Sequence, residues 1–65
     1  MVKEVWTKDT DYGTQTAAIY SFGANNYFVD MHSALWNKYY KSYTWAKKYL
    51  ERNGYKHSTT VIKLG

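Results

Sequence analysis

The sequence predicts an α+β domain, a small antiparallel sheet of three to four strands with one amphipathic helix packed on a face. Three observations predict it. The first half of the 65 residues is rich in strand-forming side chains set between short clusters of turn formers. The second half holds one stretch of helical spacing that ends at Asn53-Gly54. The last ten residues are rich in β-branched side chains. A chain this short buries only about 60% of the surface its unfolded form exposes, so residues 1–65 make a single domain. With no cysteine, it has no disulfide to help. Hydrophobic residues at 45% and aromatics at 20% exclude intrinsic disorder. The length argues against a two-domain enzyme, a doubly wound nucleotide fold and a barrel.

The elements follow in order. Residues 2–8 mix Val2, Val5 and Trp6 with charges and stop at Asp9-Thr10-Asp11-Tyr12-Gly13, a turn cluster. Residues 14–22 form a second strand, with Thr16, Ala18, Tyr20 and Phe22 on one face and Gln15, Ala17, Ile19 and Ser21 on the other. Gly23-Ala24-Asn25-Asn26 is a hairpin-length connection with residues that tolerate left-handed backbone. Residues 27–32 alternate again: Tyr27, Val29 and Met31 against Phe28, Asp30 and His32. Residues 33–41 admit two readings. Leu35, Tyr39, Tyr43, Ala46 and Leu50 have spacings that would continue one helix from 33 to 53. The aromatic composition of residues 39–43 favours a loop or short strand, with the helix starting near Ser42. In that helix Ala46, Tyr49, Leu50 and Asn53 share a side, opposite Lys47, Lys48, Glu51 and Arg52. Gly54 suits the position just past its end. Residues 55–64 return as a final edge strand. The expected core is Val5, Trp6, Ala18, Tyr20, Val29, Met31, Trp36, Ala46, Tyr49, Leu50 and Ile62.

The formal charge of +4 is unevenly distributed. Residues 1–32 hold Lys3 and Lys8 against Glu4, Asp9, Asp11 and Asp30. Residues 33–65 hold Lys38, Lys41, Lys47, Lys48, Arg52, Lys56 and Lys63 against Glu51 alone. Segregated basic charge suits phosphate backbones, anionic lipid heads or an acidic protein partner. No apolar run reaches the ~18 residues a membrane helix needs, and the charged Lys3 and Glu4 argue against a secretory leader. No membrane association is expected, and the cytoplasm is the default location.

Chemistry-bearing motifs are few. The four glycines are isolated, so none builds a phosphate loop. Asp9-Thr10-Asp11-Tyr12-Gly13 departs from a calcium loop, with Thr14 where the glycine belongs and Tyr20 at the last ligand position. His32 and His57 lack a zinc-binding context. Asp30, His32 and Ser33 group an acid, an imidazole and a hydroxyl, and a surface pair on a sheet face accounts for them better than a triad. The expectation is a protein that is not an enzyme and carries no metal or cofactor.

Thirteen aromatic residues are too many for a core of this size, so some face a partner. Between residues 36 and 52 they interleave with basic side chains. The expected function is a small binding module for nucleic acid. Lys38, Lys41, Lys47, Lys48, Arg52 and Lys56 would grip phosphates while Trp36, Tyr39 and Tyr40 stack on bases. The alternative is a phage-type inhibitor or regulator that binds a host protein through its tyrosine-rich surface. An unpaired sheet edge also leaves room for a homodimer.

Three resemblances accompany this reading. Tyr27-Phe28-Val29-Asp30-Met31 resembles the aromatic strand of an RNA recognition motif, a domain with two helices and a longer chain. The order of elements resembles the three-stranded sheet and following helix of AP2-type domains and tyrosine-integrase N-termini, which implies a sheet laid against DNA. The run Tyr40-Lys41-Ser42-Tyr43-Thr44-Trp45-Ala46-Lys47-Lys48-Tyr49-Leu50-Glu51-Arg52-Asn53-Gly54-Tyr55 resembles the closing segment of small uncharacterised phage and mobile-element proteins of low-GC Gram-positive bacteria. That resemblance implies nucleic-acid binding or the blocking of a host factor.

Overall fold

The computed structural model describes residues 1–62. In chain order the elements are β1 (Val2–Thr10), β2 (Gly13–Ser21), β3 (Tyr27–Asp30), β4 (Lys38–Tyr40), α1 (Tyr43–Arg52) and β5 (Lys56–Ile62). The strands form one antiparallel sheet in the order β4-β3-β2-β1-β5. The α+β class with one helix is as expected, but the sheet has five strands rather than three or four. The extra strand is β4, inside the segment whose composition favoured a loop or short strand. The final strand lies at the sheet edge beside β1, as expected. The part of that expectation beyond residue 62 falls outside the described residues.

β1 and β2 pair end to end, from Val2↔Ser21 to Thr10↔Gly13, around the two-residue turn Asp11-Tyr12. Thr10 fastens this turn: its hydroxyl donates to the Gly13 carbonyl at 2.8 Å and accepts from the Tyr12 amide. The next connection is tighter than residues 23–26 suggest. The Phe22 amide donates to the Asn26 carbonyl at 3.0 Å, so three residues turn the chain. Gly23 (φ 138°) and Asn25 (φ 63°) take the positive φ that such a turn needs. Ile19 therefore pairs with Val29. After β3, Asn37 holds a short connection in place, its side-chain carbonyl accepting from the amides of Met31 and Ser33.

α1 starts after Ser42, whose backbone is extended and whose hydroxyl makes no capping bond. The C-terminus is tightly closed. The Gly54 amide donates to the Glu51 carbonyl and the Tyr55 amide to the Leu50 carbonyl, with Gly54 at φ 86°. Lys8 adds its ammonium to the Asn53 carbonyl at 3.0 Å, a cation at the negative end of the helix.

The helix packs on β2, β3 and β4. Between them lies the core: Trp6, Ala17, Ile19, Val29, Ala46, Leu50 and Tyr55, flanked by the half-buried Tyr27, Met31, Tyr40, Tyr43 and Tyr49. This corrects the expected core at several positions. Val5, Ala18 and Tyr20 point away from the helix, because Trp6↔Ala17 and Ile19↔Val29 fix the opposite face as the inner one. Ala18 is still buried, being small and overshadowed by its neighbours. Trp36 is exposed, and Ile62 is 68% exposed because β5 lies beyond the reach of the helix. Tyr55, absent from the expectation, enters the core as the residue that follows the helix stop.

Candidate nucleic-acid interface

Directly opposed residues of antiparallel strands share a face, so the register assigns each side chain to one side of the sheet. On the side away from α1, one row crosses all five strands: Val61, Lys3, Tyr20, Phe28 and Tyr39. The next row is Thr59, Val5, Ala18 and Asp30, and beyond it lie Lys56, Thr7 and Thr16, then Asp9 and Thr14. No second layer covers this face among the described residues.

The aromatic members touch one another. Phe28 and Tyr39 have ring centroids 4.6 Å apart, Tyr20 and Phe28 6.4 Å. Phe22, just past the end of β2 and two residues from Tyr20, lies nearly parallel to it at 6.2 Å. The Lys3 ammonium sits 5.4 Å from the Tyr20 centroid. Tyr39 is 72% exposed and Phe22 52%, while Tyr20 and Phe28 are half-buried. Each ring leans on a neighbour, which keeps it from collapsing onto the backbone and leaves a face or edge towards solvent.

The structure divides the residues expected to bind nucleic acid between two surfaces. Tyr39 and Lys56 lie on the open face, at its opposite edges. Lys47, Lys48 and Arg52 are on the outer side of α1, where the Lys48 ammonium packs 5.3 Å from the Trp45 ring. Lys38 and Tyr40 are at the helix-side edge of β4. Lys38 lies 5.2 Å from the Tyr49 ring, which is 5.8 Å from that of Tyr40. Trp36 belongs to this side too, because the Tyr49 hydroxyl donates to its carbonyl at 2.7 Å. Lys41 is exposed in the connection between β4 and α1. The sheet lies between the two groups, which meet only at its β4 edge.

Sequence reasoning missed Lys3, Tyr20, Phe22 and Phe28. The signal was present, since Tyr20 and Phe22 share a face with three small or polar residues, Thr14, Thr16 and Ala18.

No known protein family, curated protein or solved structure matches this chain.

Other polar groups make structural bonds. Glu4, at the helix side of β1, accepts the Tyr43 hydroxyl at 2.8 and 2.9 Å and the Trp6 indole N–H at 3.1 Å. Burial, that hydrogen bond and the charges of Glu4 and Glu51 push the Tyr43 hydroxyl up to about 12. Glu4 and Tyr43 also line a groove of about 650 Å³, with Val2, Phe22 and Tyr27 among its walls. Asp30 and His32 do come together, 3.8 Å apart, and the His32 amide bonds the Asp30 carboxylate at 2.8 Å. His32 sits past the end of β3 at φ 58°, not in the strand as expected. Among the described residues, no group of three His, Asp or Glu side chains could hold a metal. No described helix is long and apolar enough to cross a membrane.

Proposed function

We propose that this chain is a non-enzymatic binding module for nucleic acid, and that the ligand docks on the open face of the sheet. The aromatic row Tyr20, Phe28 and Tyr39, with Lys3 beside it, supports this reading. Rings held side by side on a sheet, Tyr39 exposed and Tyr20 and Phe28 half-buried, offer π-surface to bases, while a neighbouring ammonium meets the backbone. The helix side is more basic, but its tyrosines Tyr27, Tyr40, Tyr43 and Tyr49 are packed against the core beneath the helix.

The test is a titration of labelled DNA and RNA at low salt, read by fluorescence anisotropy. Tyr39→Glu should abolish binding, because it places a carboxylate where a base would stack. This edge residue is exposed enough for the fold to survive the change. Replacing Lys47, Lys48 and Arg52 together by Gln should leave most of the affinity. Absence of binding at low salt overturns the reading and turns the search to a protein partner for the exposed Leu35, Trp36 and Trp45.

A further inference from the structure

We infer that the open face takes a single-stranded nucleic acid and not a duplex, one base stacking on each ring from Tyr39 through Phe28 and Tyr20 to Phe22. The inference rests on the nucleic-acid reading of this face and deepens it.

Charge is the first argument. Among the described strand residues the face carries two cations, Lys3 and Lys56, and two carboxylates, Asp9 and Asp30. A duplex presents one phosphate charge per ~1.7 Å of axis and is bound largely by neutralising them. Laid on this face, it would meet as many acids as bases. Asp30 lies one row from the rings, opposite Ala18, where any broad ligand would press on it. A single strand draws part of its affinity from bases stacked on aromatic rings, so it depends less on phosphate neutralisation than a duplex does.

Shape and chemistry are the second. In a duplex the flat faces of the bases are hidden in the stack, and only their edges are displayed in the grooves. Reading edges needs a continuous set of donors and acceptors, and in the two central rows those of Lys3, Tyr20, Tyr39, Thr59 and Asp30 are interrupted by Val61, Phe28, Val5 and Ala18, which carry none. What the rows do offer is ring surface, and only an unpaired base has a free face to set against it. Tyr39, Phe28 and Tyr20 run across the strands, and the line turns at Tyr20 towards Phe22, just past the end of β2. Lys3 stands at that corner. Four rings imply a footprint of about four nucleotides, the lower end of what a small sheet domain covers.

The experiment is an NMR titration of the full chain with oligo-dT and oligo-U of increasing length, and with a hairpin duplex as comparison. The Tyr39, Phe28 and Tyr20 ring protons should shift on adding single strands, and affinity should level off beyond about four nucleotides. The duplex should bind at least tenfold more weakly. Tyr39→Ala should weaken single-strand binding about tenfold, with Tyr39→Phe close to the parent. Phe28→Leu, which keeps apolar bulk, should act in the same direction. The salt slope should be shallow, near −1, from one or two phosphate contacts at about 0.7 each. Equal or tighter duplex binding, with a slope near −3 and loss on replacing Lys47, Lys48 and Arg52 by Gln, overturns this inference while nucleic-acid binding itself stands. Failure of every nucleic acid to shift the rings at millimolar concentration overturns both, as does a ring-dependent dimer that ignores oligonucleotide.

Discussion

Tyr43 ties the first strand to the helix through a single carboxylate, and its own ionisation makes the tie sensitive to alkali. Its hydroxyl is raised to about 12, first by burial and then by Glu4. In the unfolded chain it would titrate near 10. A folded pKa above the unfolded one means the hydroxyl contributes its full stability below pH ~10 and loses it as the pH rises towards 12. Tyr43→Phe should therefore cost about 1 kcal/mol at neutral pH. The gap between parent and variant in urea unfolding should shrink between pH 10 and 12. A gap that stays constant over that range would show that the Glu4 bond contributes nothing to folding. Gly54 carries a second residue-scale prediction. It sits at φ 86°, and a Cβ there would lie 3.3 Å from Lys8 Cδ, the same side chain that caps the helix. Gly54→Ala should cost about 1 kcal/mol. In a domain of this size that is a fall of roughly 4–8 °C in Tm.

At the scale of elements, the helix depends on Leu50, which is fully buried against the sheet, with Ala46 small enough to let the helix approach. Leu50→Ala should cost about 2–5 kcal/mol, comparable to the whole margin of so small a domain. Circular dichroism at 25 °C should show a largely unfolded chain, and a variant that stays cooperative with unchanged Tm would contradict this packing. The helix was the most legible element, because Ser42 and Asn53-Gly54 bracket it and its inner face repeats with helical period. The faces of β2 were less legible. Both alternating sets contain apolar residues, and the choice between them hangs on loop length. A four-residue turn at 23–26 would bring Tyr20 opposite Val29, whereas the observed three-residue turn brings Ile19 there. Because strand side chains alternate, that single step exchanges the inner and outer faces of the whole strand. Tyr20, the aromatic residue that β2 gives to the open row, was thereby misassigned to the core.

Across the whole molecule, one helix covers one side of part of a five-stranded sheet, and the two outer surfaces differ in kind. The helix side gathers Lys38, Lys47, Lys48 and Arg52, while the open side gathers rings with balanced charge. Linear sequence merges these surfaces, since Lys38, Tyr39 and Tyr40 are adjacent and yet alternate between them. An interleaved run of lysines and aromatics therefore reads as one patch until the strand that divides it is recognised. β4, at three residues, is too short to announce itself by periodicity. The two surfaces should also be separable in solution. With Lys47, Lys48 and Arg52 replaced by Gln, long-range attraction to polyanions should drop while ring-dependent binding of short single strands persists.

The position of β1 has a further consequence, for the order of events in time. It lies inside the sheet, with β2 on one flank and β5 on the other. The β1–β2 hairpin closes over a two-residue turn and can form early. Joining Val2 to Ile62 must instead wait for a loop of about sixty residues to close. Until then β1 shows a bare flank beside Trp6, and His57, which packs edge-on against that indole at 5.6 Å, is not yet there to shield it. The last strand to dock thus completes the protection of the first one made, and the interval between the two is when this chain is most open to pairing with a neighbour.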